Sequence, residues 1–260
     1  MSITLIDGVP LDVTAAGRGR DLVLLHSLLA DRTAFDTVVP VLASTRRVWC
    51  VNLPGYGASG AGGPAIEDYA DRIAAWLRAA GLPPQTDVLG NGLGGFISVA
   101  LAIRHGECFD RLIVADALAG FPEPGKQPLR ALAARVRAEG MGGALDIAIG
   151  RMFPPAYIAA HPEVVAERKR LLELADAKCF ANACLALANV NFTPQLGKIR
   201  NQTLVMVGAL DATTAPAIAR ELAAGIAGAQ FMEIPGVGHC PQIEDPQAFV
   251  AAVNGFLPAN

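Results

Sequence analysis

The sequence predicts an α/β fold in which a mostly parallel central sheet is flanked by helices. Apolar segments of strand length alternate with stretches of helical periodicity, an order that favours parallel strands joined by crossover helices. One apolar segment, Asp87–Phe96, breaks into closely spaced glycines and resumes with helical spacing, which indicates a strand, a tight turn and a helix. The alternation stops from about Phe121 to Pro194, where the pattern is helical throughout.

The composition limits the classes of function. The chain has 260 residues, of which 52% are hydrophobic, and a formal net charge of −3, so it can build a large α/β core but offers no basic surface for nucleic acid or an anionic membrane. Five scattered cysteines suggest reduced thiols. No leader-like start or apolar run of about 18 residues is present, so we expect a soluble, cytoplasmic protein. A small-molecule substrate and a monomeric or homodimeric state complete this expectation.

The first half of the chain shows strands and helices in turn. Ile3–Leu5 and Leu11–Ala15 flank a Gly-Val-Pro turn and predict a short antiparallel pair at the sheet edge. Leu22–Leu25 and Val48–Leu53 are continuously apolar, as expected for strands covered on both faces. Apolar residues then recur at helical spacing from Ile66 to Ala80, with acidic residues in the first turn.

The second half continues this alternation on either side of a helical insertion. Arg111–Ala115 is a buried type of strand, and strands return at Thr203–Val207 and Gln230–Ile234. Helices are predicted at about Ala215–Ala224 and from Pro246 to Phe256.

The insertion contains helical patterns such as Leu129–Glu139 and Lys178–Val190, separated by glycines and prolines. We expect residues 121–194 to form a helical cap over the carboxyl ends of the strands, where open α/β sheets bind ligands. Residues 1–120 and 195–260 would form the α/β core.

Three strand ends carry the residues that suggest chemistry. In the turn at Gly92, small residues flank the central position, as in the nucleophile elbow of α/β hydrolases. Asp211 follows the strand at Thr203–Val207, and His239 follows the strand at Gln230–Ile234. Elbow, acid and histidine occur in the chain order of that family, but the elbow residue here is a glycine.

From Leu22 to Phe256 the chain resembles the α/β hydrolases, and among them the small esterases and lactonases related to 3-oxoadipate enol-lactonase. The resemblance implies that Asp211 orients His239, that His239 is the catalytic base, and that the amides of Leu28 and Leu93 form the oxyanion hole. The motifs that carry it are Leu24-Leu25-His26-Ser27-Leu28, Asn52-Leu53-Pro54-Gly55-Tyr56-Gly57, the elbow, Phe192-Thr193-Pro194-Gln195-Leu196, Gly208-Ala209-Leu210-Asp211-Ala212-Thr213-Thr214 and Gly238-His239-Cys240-Pro241.

Other polar residues near these strand ends are candidates for supporting roles. His26, Ser27 and Asn91 are assigned to substrate binding, and the resemblance gives His26 a structural role in positioning the oxyanion loop. Ser27 lies on the wrong loop for activation by His239, so we expect it to act as scaffold or to polarise the substrate. Asp116, which follows the strand at Arg111–Ala115, is an alternative position for the acid.

Gly92 at the nucleophile position leaves three explanations open. It is an engineered replacement of serine, a natural variant that uses His239 without a covalent step, or the mark of a ligand-binding pseudoenzyme. Glycine relieves the strain of a positive φ, about 1–3 kcal/mol for other residues, and opens room for a water near the missing hydroxyl. Such a water could attack an ester or lactone.

The same His-Asp dyad could instead transfer a proton at carbon, as in a lyase, an isomerase or a cofactor-free oxygenase. No metal or organic cofactor is expected, because the histidines are isolated in the sequence. The glycine-rich turn also lacks the lysine or downstream acid of phosphate-binding loops.

Overall fold

The computed structural model describes residues 2–257, which contain an eight-stranded sheet. Its strands are β1 Ser2–Ile6, β2 Val9–Gly17, β3 Arg20–Leu25, β4 Arg46–Val51, β5 Asp87–Asn91, β6 Arg111–Ala115, β7 Gln202–Gly208 and β8 Gln230–Ile234. They lie in the order β1-β2-β4-β3-β5-β6-β7-β8, and β2 pairs antiparallel with β1 and β4 while the other pairs are parallel. The predicted fold class, a mostly parallel sheet with an antiparallel pair at one edge, is confirmed.

The helices connect these strands and cover the sheet. They are α1 Val39–Leu42, α2 Ile66–Ala79, α3 Leu93–His105, α4 Glu123–Glu139, α5 Leu145–Met152, α6 Pro155–Ala160, α7 Pro162–Leu172, α8 Ala177–Asn189, α9 Pro216–Ala224, α10 Pro241–Glu244 and α11 Pro246–Phe256. The β3 to β4 crossover, for which no element is predicted from the sequence, consists of a 3-10 turn at Arg32–Phe35 and the short α1. Every helix between residues 2 and 257 is too short or too polar to span a lipid bilayer.

The central strands are apolar throughout because each of their faces packs against helices. Along β3, Val23 and Leu25 belong to the core that contains α2 and α3, whereas Leu22 and Leu24 belong to the core that contains α11. All four side chains are fully buried. A strand with two covered faces needs no polar alternation, which explains the continuous apolar pattern in the sequence.

Between β6 and β7 the chain forms five α-helices, α4 to α8, and α4 packs along α8. They fall within the predicted cap bounds of 121–194. Backbone hydrogen bonds join this region to the strand-end loops: the amide of His239 donates to the carbonyl of Met152 at 3.1 Å, and the amide of Asp176 donates to Gly55 at 2.9 Å. The end of α5 is therefore anchored directly at the loop that carries His239.

Candidate active site

Gly92 occupies a sharp turn between β5 and α3, with φ of 54° and ψ of −119°. This backbone conformation strains any residue that has a β-carbon. The turn is also crowded, because a Cβ built at Gly90 would lie 2.1 Å from the carbonyl oxygen of Gly94. The geometry of a nucleophile elbow is therefore present, and small flanking residues are required for steric reasons.

Asp211 and His239 lie at the carboxyl ends of β7 and β8 and form a buried pair. Nδ1 of His239 donates to Oδ2 of Asp211 at 2.9 Å, and the two side chains are 3% and 0% exposed. With its proton held on Nδ1, the ring presents Nε2 as an acceptor on the side of Gly92. A Cβ at Gly92 would lie 3.0 Å from Nε2. The structure thus brings the acid, the histidine and the elbow together.

Hydrogen bonds hold the acid in its charged form. Oδ1 of Asp211 accepts from the amides of Thr213 at 2.7 Å and Thr214 at 3.0 Å, and the hydroxyl of Thr214 donates to Oδ2. Burial by itself raises the pKa of Asp211, but the charge and hydrogen bond of His239, together with the bonds from Thr214, lower that pKa to about 2. Asp211 is therefore an anion that holds the ring of His239 in place.

Asp116, the alternative acid, lies behind this pair. Its Oδ1 accepts from the amide of Gly208 at 2.8 Å and its Oδ2 from Nδ2 of Asn91 at 3.1 Å. Burial, and then the nearby charge of Asp211, raise the pKa of Asp116 well above its usual range. His239 bonds to Asp211, and Asp116 supports the loops beneath them.

Asp116, Asp211 and His239 also form a cluster whose potential metal-ligand atoms lie within 4.8 Å of one another. Hydrogen bonds occupy these atoms: His239 Nδ1 bonds to Asp211 Oδ2, and the Asp116 oxygens accept from Gly208 and Asn91. The donor set fits a hydrogen-bond network better than a metal site.

His26 fixes the oxyanion loop. Its Nδ1 donates to the carbonyl of Ser27 at 2.8 Å, and its Nε2 accepts from the amide of Leu53 at 2.9 Å. Burial is the main influence on its pKa, which falls to about 4, so the ring is neutral. The hydroxyl of Tyr56 donates to the carbonyl of Leu28 in the same loop.

The expectation that His26 and Asn91 bind substrate needs correction. Both side chains are fully buried and lie outside the lining of the cavity at Gly92. Nδ2 of Asn91 donates to the carbonyl of His239 at 3.1 Å as well as to Asp116, and its Oδ1 accepts from Gln242 at 3.1 Å. Their polar atoms are engaged within the protein, so both residues shape the loops.

Ser27 also departs from the sequence interpretation. Its Oγ lies 3.4 Å from Nε2 of His239, within reach of the base that the sequence interpretation considers unable to activate it. It would also lie 2.4 Å from a Cβ built at Gly92. The side chain of Ser27 therefore occupies the space that an elbow side chain would need, and the room left beside Gly92 is a small cavity.

The two predicted oxyanion-hole amides are available for a ligand. Within residues 2–257, neither the amide of Leu28 nor that of Leu93 donates to a protein acceptor. Leu93 is the first residue of α3, where a helix leaves its amides unpaired and carries partial positive charge. Both leucines line the same cavity as Gly92 and His239.

This cavity has a volume of about 30 Å³, which holds one or two waters. Its roof comes from the helical region between β6 and β7, including Phe121, Leu129, Arg151 and Leu187. A cleft of about 490 Å³, the size of small-molecule sites, shares Arg151 and His239 with it. A substrate that reaches Gly92 must displace part of this roof or enter from the cleft.

Four residues that the sequence did not single out support the site. Tyr56 donates to the carbonyl of Leu28 in the loop after β3, and Gln242 donates to Oδ1 of Asn91. Glu244 accepts from the amides on either side of His239, at 2.8 and 3.1 Å. Arg151 lines the cavity, half-buried, and its guanidinium has no hydrogen-bond or ion-pair partner among residues 2–257. Tyr56 had a signal in its Pro-Gly-Tyr-Gly motif; Arg151 had none.

An elbow, a buried acid-histidine pair and two free amides at the carboxyl ends of parallel strands are the components of an acyl-transfer site. Residues 22–253 match the model of the alpha/beta hydrolase family, and the chain belongs to that family. The match to this family thus covers most of the chain, including the strands and the loops that carry Gly92, Asp211 and His239.

Its relatives include lactonases and esterases. The chain is 30% identical to 3-oxoadipate enol-lactonase 2 of Acinetobacter baylyi over 91% of this chain and 88% of the relative. It is 28% identical to the pimeloyl-[acyl-carrier protein] methyl ester esterase of Chromobacterium violaceum, over 95% and 98%. The crystal structure of the enol-lactonase from Burkholderia xenovorans superposes with a TM-score of 0.92 at 28% identity, over 98% and 99%.

Proposed function

We propose that this protein hydrolyses a small ester or lactone, with His239 as the general base. The observation that carries the proposal is the buried Asp211–His239 pair, whose Nε2 faces Gly92 and Ser27 beside the amides of Leu28 and Leu93. The relatives named as a lactonase and an esterase support the same reaction class.

In this mechanism His239 takes the proton of the attacking hydroxyl group as that oxygen bonds to the acyl carbon. The carbonyl oxygen becomes an oxyanion, which the amides of Leu28 and Leu93 stabilise with the help of the α3 dipole. His239 then returns the proton to the leaving oxygen. Asp211 stays charged throughout and holds the ring in the required tautomer.

The cavity suggests the polarity of the substrate. Its lining is mainly apolar but includes the half-buried guanidinium of Arg151, which has no hydrogen-bond or ion-pair partner between residues 2 and 257. Guanidinium groups bind carboxylates through charge-assisted hydrogen bonds. We infer a preference for esters or lactones that also carry an acidic group.

The test is ester and lactone turnover by the purified chain, compared with its His239→Ala variant. Loss of the base should lower kcat by about 10²–10⁴-fold on p-nitrophenyl acetate and on a five-membered lactone. His105→Ala is the matched control, since His105 bonds to Asp71 at 2.7 Å at the far end of α3. Equal hydrolysis rates for the wild type and His239→Ala, or wild-type rates no higher than the rate in buffer alone, would exclude the proposed hydrolase function.

A second candidate is proton transfer at carbon, which the lack of a hydroxyl at Gly92 favours, because a free base then faces the cavity without an elbow nucleophile. It predicts that a carbon acid exchanges hydrogen for deuterium in heavy water and that His239→Ala abolishes the exchange. Binding of a ligand with neither exchange nor hydrolysis would instead indicate a pseudoenzyme.

A further inference from the structure

Ser27 stands where an elbow side chain would normally project. A Cβ on Gly92 would lie 2.4 Å from Oγ of Ser27 and 2.8 Å from its Cβ, far closer than non-bonded atoms approach. Ser27 therefore fills the space beside His239 that an elbow side chain would need. The side chain of Ser27 can take its observed position only because residue 92 is a glycine.

The hydroxyl of Ser27 faces a base and has few structural bonds. The acceptor within reach of its proton is Nε2 of His239, at 3.4 Å. Its other polar contact among residues 2–257 is the amide of Leu29, which donates to Oγ at 3.4 Å. Nucleophile-base distances are often this long before substrate binds. A hydroxyl with a purely structural role would be expected to make at least one shorter bond.

The backbone around Ser27 is held firmly by its neighbours. Its carbonyl accepts from Nδ1 of His26 at 2.8 Å and from the amide of Ala30 at 3.2 Å. The amide of Gly94, in the first turn of α3, donates to the carbonyl of His26 at 3.0 Å and ties the loop to the elbow helix. Ser27 is thus presented on a fixed turn, as an activated nucleophile requires.

The amides around the hydroxyl also have the necessary arrangement. In a nucleophile elbow, one oxyanion amide belongs to the residue that follows the nucleophile. Leu93 has this relation to Gly92, and Leu28 has the same relation to Ser27. Moving the hydroxyl from one loop to the other leaves both amides in place in the same cavity.

We propose that Ser27 is the nucleophile of this enzyme, so that Ser27, His239 and Asp211 form a triad whose serine lies on the oxyanion loop; the proposal rests on the hydrolase function above. Oγ of Ser27 bonds to the acyl carbon while its proton passes to Nε2 of His239, and the carbonyl electron pair moves onto oxygen. The bond to the leaving oxygen then breaks, and that oxygen takes the proton from His239. A water then bonds to the acyl carbon as it gives a proton to His239, and Ser27 Oγ leaves and takes that proton from His239, which releases the acid and restores free Ser27.

The test is covalent labelling of the wild-type protein with an alkyl fluorophosphonate, followed by mass spectrometry of the intact chain and its peptides. In the labelling step a Ser27 oxygen–phosphorus bond forms, fluoride leaves and the proton passes to His239. We expect one added group, located on Ser27. Ser27→Ala should lose both the label and ester turnover, the latter by about 10³-fold or more.

Ser98→Ala is the matched control, because Ser98 is also fully buried but its Oγ donates to the carbonyl of Gly95 at 2.8 Å within α3. That variant should keep the label and the turnover. If Ser27→Ala fails to fold, Ser27→Cys preserves the side-chain size and should react with iodoacetamide at position 27, faster than the other thiols and dependent on His239.

The outcomes separate this proposal from the hydrolase function. Ester turnover that survives in folded Ser27→Ala, with no label on the wild type, would overturn the Ser27 nucleophile and leave hydrolysis by an activated water. Label on Ser27 without turnover of any ester or lactone would support the nucleophile and overturn the hydrolase function. A wild type with neither label nor turnover would overturn both.

Discussion

The backbone amide of Leu53 donates a 2.9 Å hydrogen bond to Nε2 of His26, which must be unprotonated to accept it. Nδ1 of the same ring donates to Ser27, so His26 joins the loop after β4 to the oxyanion loop after β3. Protonation of the buried ring would break the bond to Leu53 and leave a charge in the core. This relationship makes the stability of the site dependent on pH.

We predict that His26 destabilises the fold in mild acid. Burial lowers its pKa from 6.5 to about 4, so between these pH values the unfolded chain binds a proton that the folded chain does not. The free energy of unfolding should therefore fall by about 3 kcal/mol as pH drops from about 6.5 to about 4, with no further loss from this group below that. Urea unfolding at a series of pH values measures it.

His26→Asn is the control for this effect, since its amide can still donate to Ser27 but does not titrate. The variant should be less stable at neutral pH, because the amide of Leu53 loses its acceptor. Its stability should change less over the same pH range. A variant curve parallel to that of the wild type would show that His26 is not the titrating group.

Asp211 should make the free energy of unfolding depend on pH in a lower range than His26 does. Its pKa is about 2 in the folded state and near 3.8 ordinarily, so its contribution is complete above about pH 4 and is lost as pH falls to about 2. The expected loss is about 2 kcal/mol. The difference between the wild-type and Asp211→Asn unfolding curves isolates it, and a difference that does not change below pH 4 would contradict the charged pair with His239.

The residues of the candidate site are only partly visible in the sequence. Asp211 and His239 could be predicted because they follow strands in a known chain order, and the strands themselves follow from continuous apolar runs buried on both faces. The contact between Ser27 and His239 could not, because it depends on the path of two loops that are 212 positions apart. Arg151 was missed because a cation in a helical segment is ordinarily a surface residue.

Chelation should leave ester turnover unchanged. The atoms of Asp116, Asp211 and His239 that would hold a metal are engaged in hydrogen bonds. Turnover measured before and after treatment with a chelator, with zinc and manganese added back to a second sample, tests this. Activity that falls on chelation and returns with one metal would assign the cluster to metal binding instead.

Arg151→Met should change substrate preference. The guanidinium lines the cavity without a hydrogen-bond or ion-pair partner in the described part of the chain, and a charge-assisted hydrogen bond contributes about 1.5–3 kcal/mol. The ratio of kcat/KM for an acid-bearing ester to that for its neutral analogue should fall by roughly 10- to 100-fold. Arg137→Met, whose exposed guanidinium bonds to Asn182 at 3.2 Å, is the matched control. An unchanged ratio of kcat/KM values in Arg151→Met would contradict the proposed preference for substrates that carry a carboxylate.

The final prediction concerns exchange of the serine between positions 27 and 92. Gly92→Ser alone places a β-carbon against Ser27 and at a φ of 54°, so the variant should be less stable than the wild type by roughly 1–3 kcal/mol for the positive-φ strain and by an additional amount for the contact. The double variant Ser27→Gly/Gly92→Ser removes the contact but keeps the strain. In a double-mutant cycle, Gly92→Ser should therefore cost less stability in the Ser27→Gly background than in the wild type. With the hydroxyl now on the elbow, 3.0 Å separating its β-carbon position from Nε2 of His239, the fluorophosphonate label should move to residue 92 and ester turnover should persist. Additive stability changes would show that the two side chains do not compete for one space. If the double variant folds but takes no label, then His239 and the amides of Leu28 and Leu93 activate a hydroxyl at position 27 and not at position 92.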